Sequence, residues 1–192
     1  MNKVLGQDLF TSFRRQLVQN LSGVGLEIGF GSGLNLPYYS KDVRLLYILE
    51  PNLESVKLGR ERIAGSDLSL QFVPLYSNGT IALPSQSVDF VVSSFTLCTI
   101  PNVEAAMSEL KRVLKPGGEF RFLEHGLADE ANVCRKQHRM NPIQKFIGGG
   151  CHITRKIDDI VKGGGFRVAD LHKEYLEQMR LSGYLYQGVA NR

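Results

Sequence analysis

A chain of 192 residues, 43% of them hydrophobic and 22% charged, has the length and make-up of one soluble globular domain, long enough for a sheet covered on both faces. Its net charge of +4 and pI near 9.0 permit attraction to nucleic acid or to an anionic membrane, but the basic residues are scattered. The one cluster, Arg135 to Arg139, reads as the solvated face of a helix, so no nucleic-acid partner is expected.

The opening residues, MNKVLGQDLFTSF, lack the apolar core of a signal peptide, and no later run approaches the ~18 apolar residues of a membrane span, which predicts a cytoplasmic protein. Leu9, Phe10, Phe13, Leu17 and Leu21 recur at helical spacing, with Arg14, Arg15 and Gln19 on the other faces. A first strand is expected at 24–28 and a second, buried on both sides, at 44–50. Between them, residues 34–40 make at most a short helix interrupted by Pro37. Pro51 suits the first turn of the next helix, with Leu53, Val56 and Ile63 as its buried stripe. Residues 70–75 read as strand three and 87–95 as strand four. Asn102 caps a helix carrying Val103, Ala106, Met107, Leu110 and Leu114, which stops at Pro116-Gly117-Gly118 before strand five at 119–125. The last third is less regular. A helix capped by Thr154 runs through Ile157, Ile160 and Val161 to the glycines at 163–165, and segments 166–171 and 184–189 can pair as two final strands.

Strands alternating with helices imply a parallel sheet with right-handed crossovers. Its chemistry centres on VGLEIGFGSG at 24–33, where a strand runs into Gly29, Gly31 and Gly33 at alternate positions. Glycine accepts φ > 0 and lets a ligand lie on bare backbone. Glu27 beside that floor repels phosphate, so the loop suits a cationic or hydroxyl-bearing ligand. No Gly-Lys-Ser/Thr follows, and the dinucleotide fingerprint fails because position 34 is Leu. Glu50 closes strand two 23 residues after Glu27, where a doubly wound fold places an acid on ribose hydroxyls. The three cysteines, Cys98, Cys134 and Cys151, form no C-x-x-C pair, so neither a disulfide framework nor a metal site is expected.

The E-x-G-x-G-x-G loop, ILEPN at 48–52, SVDFVVSSFTLCTIPN at 87–102 and ELKRVLKPGGEFRFLEHG at 109–126 resemble the successive motifs of class I S-adenosylmethionine (SAM) methyltransferases, over roughly residues 24–126. LNLPYY at 34–39, TLCTI at 96–100, FLEHG at 122–126 and GGGCHITRK at 148–156 resemble a narrower branch. It holds small bacterial methyltransferases and animal methyltransferase-like proteins that methylate alkyl thiols. The resemblance implies a Rossmann-like α/β fold, a seven-stranded mostly parallel sheet of order 3-2-1-4-5-7-6 with strand seven antiparallel and helices on both faces. It divides one domain over 1–192 into a cofactor half (about 22–126), an acceptor-side segment (about 126–165) and a final strand pair (about 166–190). It implies SAM as cofactor, with S-adenosylhomocysteine as product, held by Glu27, Gly29, Phe30, Gly31, Gly33, Glu50, Pro51 and Phe95. Many relatives carry an acid after strand three for the adenine amino group. Here residues 76–80 have none, which leaves backbone groups or Ser77 and Asn78. Unlike the animal proteins, this chain has an N-terminal helix too short and charged to anchor in a membrane.

His125, at the end of strand five, is the first candidate base for the acceptor and equally a histidine satisfying backbone groups; His152, beside Cys151 and ahead of Arg155, is the second. Cys98 and Cys151 read as packing or pocket lining. Tyr38 and Tyr39 either close over the cofactor or pack in the core. The expected partner is a small-molecule acceptor, a thiol first and a lipid or quinone precursor second; a membrane surface is tolerated rather than favoured. The rival from another class is a SAM-binding regulatory protein without catalysis. The acceptor itself and the oligomeric state are not written in these motifs.

Overall fold

The computed structural model describes residues 8–192, so the start of the N-terminal segment lies outside the described residues. The described chain opens with a 3₁₀ turn, Asp8–Phe10, and helix α1, Thr11–Val18. Strand β1, Gly23–Ile28, and strand β2, Val43–Leu49, flank a 3₁₀ turn at Leu36–Tyr38. Helices α2, Leu53–Leu58, and α3, Arg60–Ala64, lead to the short β3, Leu70–Phe72. Strand β4, Val88–Ser94, helix α4, Val103–Val113, and strand β5, Leu114–His125, follow. The remainder is α5, Ala131–Ile147, α6, Ile157–Gly163, β6, Arg167–Tyr175, a 3₁₀ segment at Glu177–Ser182, and β7, Tyr184–Asn191.

The sheet has seven strands in the order β3-β2-β1-β4-β5-β7-β6. The pairs β1–β2, β2–β3, β1–β4 and β4–β5 are parallel, whereas β7 runs antiparallel to β5 and to β6. This is the expected order. Alternation along the parallel strands sends side chains to two cores. Leu26 and Ile28 of β1 pack with Val103, Met107 and Leu110 of α4 and Ile157 and Val161 of α6. On the other face Leu46, Ile48, Phe90 and Leu123 meet Phe10, Leu17 and Val18 at the N-terminal helix. Because these strands are parallel, the residues following β1, β2, β4 and β5 emerge along one edge, and that edge carries the candidate site.

Several expected details are corrected. Asn52, whose side chain accepts from the Glu54 and Ser55 amides, caps α2, so Pro51 lies ahead of the helix rather than in its first turn. Leu53 is 68% exposed, and the helix breaks at Gly59, so no continuous buried stripe forms. Gly59 lies so close to the Ser32 backbone that a Cβ would sit 2.5 Å from the Ser32 carbonyl oxygen, and this packing presses the break against the glycine loop. Asn102 caps α4 as expected, accepting from the Ala105 amide at 3.1 Å, but the helix ends at Val113. Leu114 already pairs with Val88, and Lys115 to Gly118 bulge out before Glu119 pairs with Phe90. Lys156, not Thr154, occupies the cap of α6. Arg14 is not on a solvated face of α1: it is 5% exposed and points into the molecule.

Candidate active site

The glycine loop takes its shape from three positive-φ residues, Gly29 (+64°), Gly31 (+59°) and Gly33 (+72°), with different surroundings. At Gly29 a Cβ would lie 1.8 Å from Thr96 Oγ1, and at Gly33 it would lie 2.8 Å from the Phe30 ring. Those two glycines allow close packing of the loop itself. At Gly31 a Cβ would meet only the Gly29 carbonyl oxygen, at 3.9 Å, so the space above this residue is open. The Phe30 ring is buried and packs edge-on against Phe72, which leaves only its backbone for a ligand.

Glu50 reaches this open position. Its Oε2 accepts from the Gly31 amide at 2.7 Å and its Oε1 from the Asn52 amide at 2.8 Å. Each carboxylate oxygen keeps a further lone pair for a hydroxyl donor. Pro51 is exposed beside it. Ser77 and Asn78 sit in the exposed turn after β3, where Asn78 Oδ1 accepts from the Thr80 amide at 3.0 Å.

Glu27 lies behind the loop, 1% exposed, with Oε1 accepting from Asn35 Nδ2 at 2.8 Å and Oε2 from the Tyr39 hydroxyl at 2.8 Å. Asn35 also donates to Ser94 Oγ at 3.0 Å and accepts from Arg14 Nη1 at 2.6 Å. Burial pushes the Glu27 carboxyl up to about 7, against the pull of Tyr39, Asn35 and Arg14. Arg14 and Asn35 were missed in the sequence. The signal for Arg14 was a cation one position from Phe13 on a helix facing a strand with a buried acid; for Asn35 it was a polar residue between Leu34 and Leu36.

After β4 the chain turns at Phe95, whose φ of +54° is unusual for a bulky side chain. Its amide donates to the Leu123 carbonyl at 2.8 Å, and its ring meets Phe10 edge-on, the Arg14 guanidinium at 5.6 Å and the His125 ring at 4.6 Å. Glu124, buried on the opposite face of β5, clamps the next residues. It accepts from Ser93 Oγ at 2.6 Å and from the amides of Thr96, Leu97 and Cys98 at 3.0, 3.1 and 3.4 Å. Arg155 holds the same turn through the carbonyls of Leu97 and Ile100. Glu124 was also missed, although it continues the buried parity of Phe120 and Phe122.

The two candidate bases are not brought together. His125 is 7% exposed against Phe95, its Nδ1 has no partner among the described residues, and burial pushes its pKa down to about 4. His152 is half-buried across the sheet edge, its amide donating to the Cys98 carbonyl at 2.8 Å. Burial and the nearby Arg155 and Lys145 lower its pKa. Cys98 and Cys151 are free thiols with sulfurs 3.4 Å apart, packed with Ile153. Tyr39 serves Glu27 in the core, while Tyr38 faces α1, its hydroxyl 3.4 Å from Thr11 Oγ1. Among the described residues no group of His, Cys, Asp and Glu is arranged to hold a metal ion.

A family model described as a methyltransferase domain matches residues 26–122. A thiol S-methyltransferase of Rattus norvegicus, TMT1B, is 31% identical over 134 residues, 68% of this chain and 54% of the rat protein. The human thiol S-methyltransferase TMT1A is 31% identical over 166 residues, 80% of this chain and 67% of the human protein. The chain thus spans only about half the length of the rat relative it matches. A Haloferax volcanii chain solved in complex with the Trm112 methyltransferase activator superposes with a TM-score of 0.73 at 17% identity, covering 99% of this chain and 92% of that one, a likeness of fold.

Proposed function

This chain belongs to the methyltransferase domain family, and from that premise we propose that it transfers a methyl group from SAM to a small-molecule thiol. The observation that carries the cofactor half is the open face of Gly31 with the Glu50 carboxylate on its edge. A cradle that one Cβ would fill, bordered by an acid and with the Arg62 guanidinium taken up by the Ser32 carbonyl at 3.0 Å, fits a hydroxyl-bearing, cationic ligand. Gly29, Gly31 and Gly33 supply the floor, Glu50 accepts from ribose hydroxyls, and Pro51 with the exposed turn around Ser77 and Asn78 borders the adenine. Glu27 acts through Asn35 and Tyr39, holding the loop from behind. Glu124 and Arg155 fix the turn at 96–100 that faces the methyl group.

When bound, SAM supplies a methyl group already activated on a sulfonium, so the chain's own task is alignment and exclusion of water. The thiol reading rests on the relatives and on the cations beside His152. Arg155 and Lys145 depress the His152 pKa, and the same positive surroundings favour a thiolate. Magnitudes weigh against His125 as the base. Moving a proton from a thiol of pKa about 8.5 to an imidazole near 4 is uphill by about 6 kcal/mol, whereas ionisation to solvent at neutral pH costs only about 2 kcal/mol. On this reading His125 is a structural residue and the acceptor loses its proton to water.

Incubation with SAM and a panel of small thiols, amines, phenols and phospholipids, read by mass spectrometry, tests the reading. A methylated thiol is expected; SAM binding without any methylated product would favour the regulatory alternative. With a thiol acceptor, turnover should rise with pH toward the thiol's own pKa, in parallel for wild type and His125→Gln. A loss in the variant that vanishes only above the thiol pKa would restore His125 as base. Glu50→Ala should weaken SAM by about 1 to 3 kcal/mol, the scale for a hydrogen bond to a charged group. An unchanged Kd in calorimetry would make Glu50 a bystander.

A further inference from the structure

Helix α5 is inverted for an element that only covers a core. Beside Val133, which packs on the core, its inward residues are polar: Gln137 is fully buried, donating to the Gly126 carbonyl at 3.0 Å and accepting from the Ala128 amide at 2.8 Å. Asn141 Oδ1 accepts from the Ile153 amide at 3.1 Å. Its outward residues Met140, Ile143 and Phe146 are 39%, 52% and 90% exposed. They are spaced by three, so they succeed one another along one side of the helix. Arg135, Lys136 and Arg139 stand exposed around that stripe, none of them in an ion pair among the described residues, and residues 131–147 contain no Asp or Glu. The preceding acids sit at the far end. Asp129 is engaged by Lys173 and the Tyr184 hydroxyl, and Glu130 is separated from Phe146 by about 24 Å of helix.

A solvated helical face accounts for the cations but not for a nearly bare phenylalanine. A protein groove accounts for the apolar stripe, but lysine is depleted in protein interfaces, and here cations flank the stripe with no acid on the helix itself and no ion pair among the described residues. Lys and Arg beside Phe and Ile on one helix that carries no acid of its own match a layer of lipid phosphates over acyl chains. We propose that the outward face of α5 docks on an anionic phospholipid surface, with the cations at the phosphates and Met140, Ile143 and Phe146 in the outer acyl region. The helix ends at the turn 148–152, whose backbone meets the segment after β4 through His152 and Cys98, so docking sets the acceptor side of the molecule against the bilayer. This contact involves no membrane-spanning element, and among the described residues no helix is long and apolar enough to be one.

The test is sedimentation of the whole chain with vesicles of phosphatidylcholine alone or with about one third phosphatidylglycerol, and it needs no catalysis, so its failure is separate from failure of the methyl-transfer reading. The wild type should sediment with the anionic vesicles, remain free of the neutral ones, and be released by ~0.5 M salt. Arg139→Ala should weaken binding about fivefold. The Ile143→Ser/Phe146→Ser pair should weaken it at least about tenfold with an unchanged melting temperature. Inorganic phosphate at constant ionic strength should not displace the chain. The proposal is overturned if the wild type ignores anionic vesicles, if the double variant binds as well as wild type, or if phosphate competes, which would mark a small-anion site. It is equally overturned if the apolar pair instead supports a concentration-dependent dimer without vesicle binding.

Discussion

Gly31→Val is expected to abolish the heat of SAM and S-adenosylhomocysteine binding while the protein still melts cooperatively. The valine would stand in the space where only the Gly29 carbonyl oxygen comes within 4 Å, so its methyl groups occupy ligand volume rather than protein volume. The cost to the fold is conformational: a side chain at φ +59° is unfavourable by about 1 to 3 kcal/mol, against a usual domain stability of about 5 to 15 kcal/mol. Gly29→Ala provides the contrast. Its single methyl would be driven to 1.8 Å from Thr96 Oγ1, which itself bonds the Ile28 and Ser94 carbonyls, so this variant should lose stability first. Calorimetry beside thermal melting separates the two. Normal SAM binding by the valine variant would remove the cofactor from this loop.

The difference between these glycines marks how far the sequence could be read. Their spacing and the acid 23 residues on were enough to place a glycine loop beside a carboxylate on the edge of a parallel sheet, because both follow from local chain geometry. Which glycine faces open space and which faces Thr96 depends on the turn after β4, some 65 residues away, and no spacing contains it. The same holds for Arg14. Helical periodicity puts it with the polar residues of α1, but the buried Glu27 needs donors, and it obtains them through Asn35, which also takes the guanidinium. Leu53 failed as a core residue because Gly59 cuts the helix into two short pieces, for a reason of packing against Ser32. Helix α5 was least legible, since a polar inner face built on Gln137 and Asn141 gives the opposite of the pattern that periodicity looks for.

Two buried groups on the same face of the sheet should tilt stability with pH in opposite directions, and single variants should reveal each. The Glu27 carboxyl, ordinarily near 4.5, is held at about 7 in the folded protein. Between those values the folded state keeps a proton that the unfolded chain has released, so stability falls as pH rises through the window. For Glu27 alone that loss is about 3 kcal/mol. The His125 imidazole, ordinarily near 6.5, is held at about 4, so there the unfolded chain binds the extra proton and stability falls as pH drops from about 6.5 to 4. Glu124, also raised by burial, adds to the Glu27 direction. Glu27→Gln keeps an acceptor for Tyr39 and removes the ionisation. Its stability relative to wild type should climb by up to about 3 kcal/mol from pH 4.5 to 7 and then level off. His125→Gln should gain on wild type in the opposite sense, as pH falls from 6.5 to 4. Urea unfolding across this range measures both differences. A Glu27→Gln curve parallel to wild type would mean that Tyr39, Asn35 and Arg14 hold the carboxylate ionised throughout. The buried network behind the glycine loop would then be a standing ion rather than a group poised near neutrality.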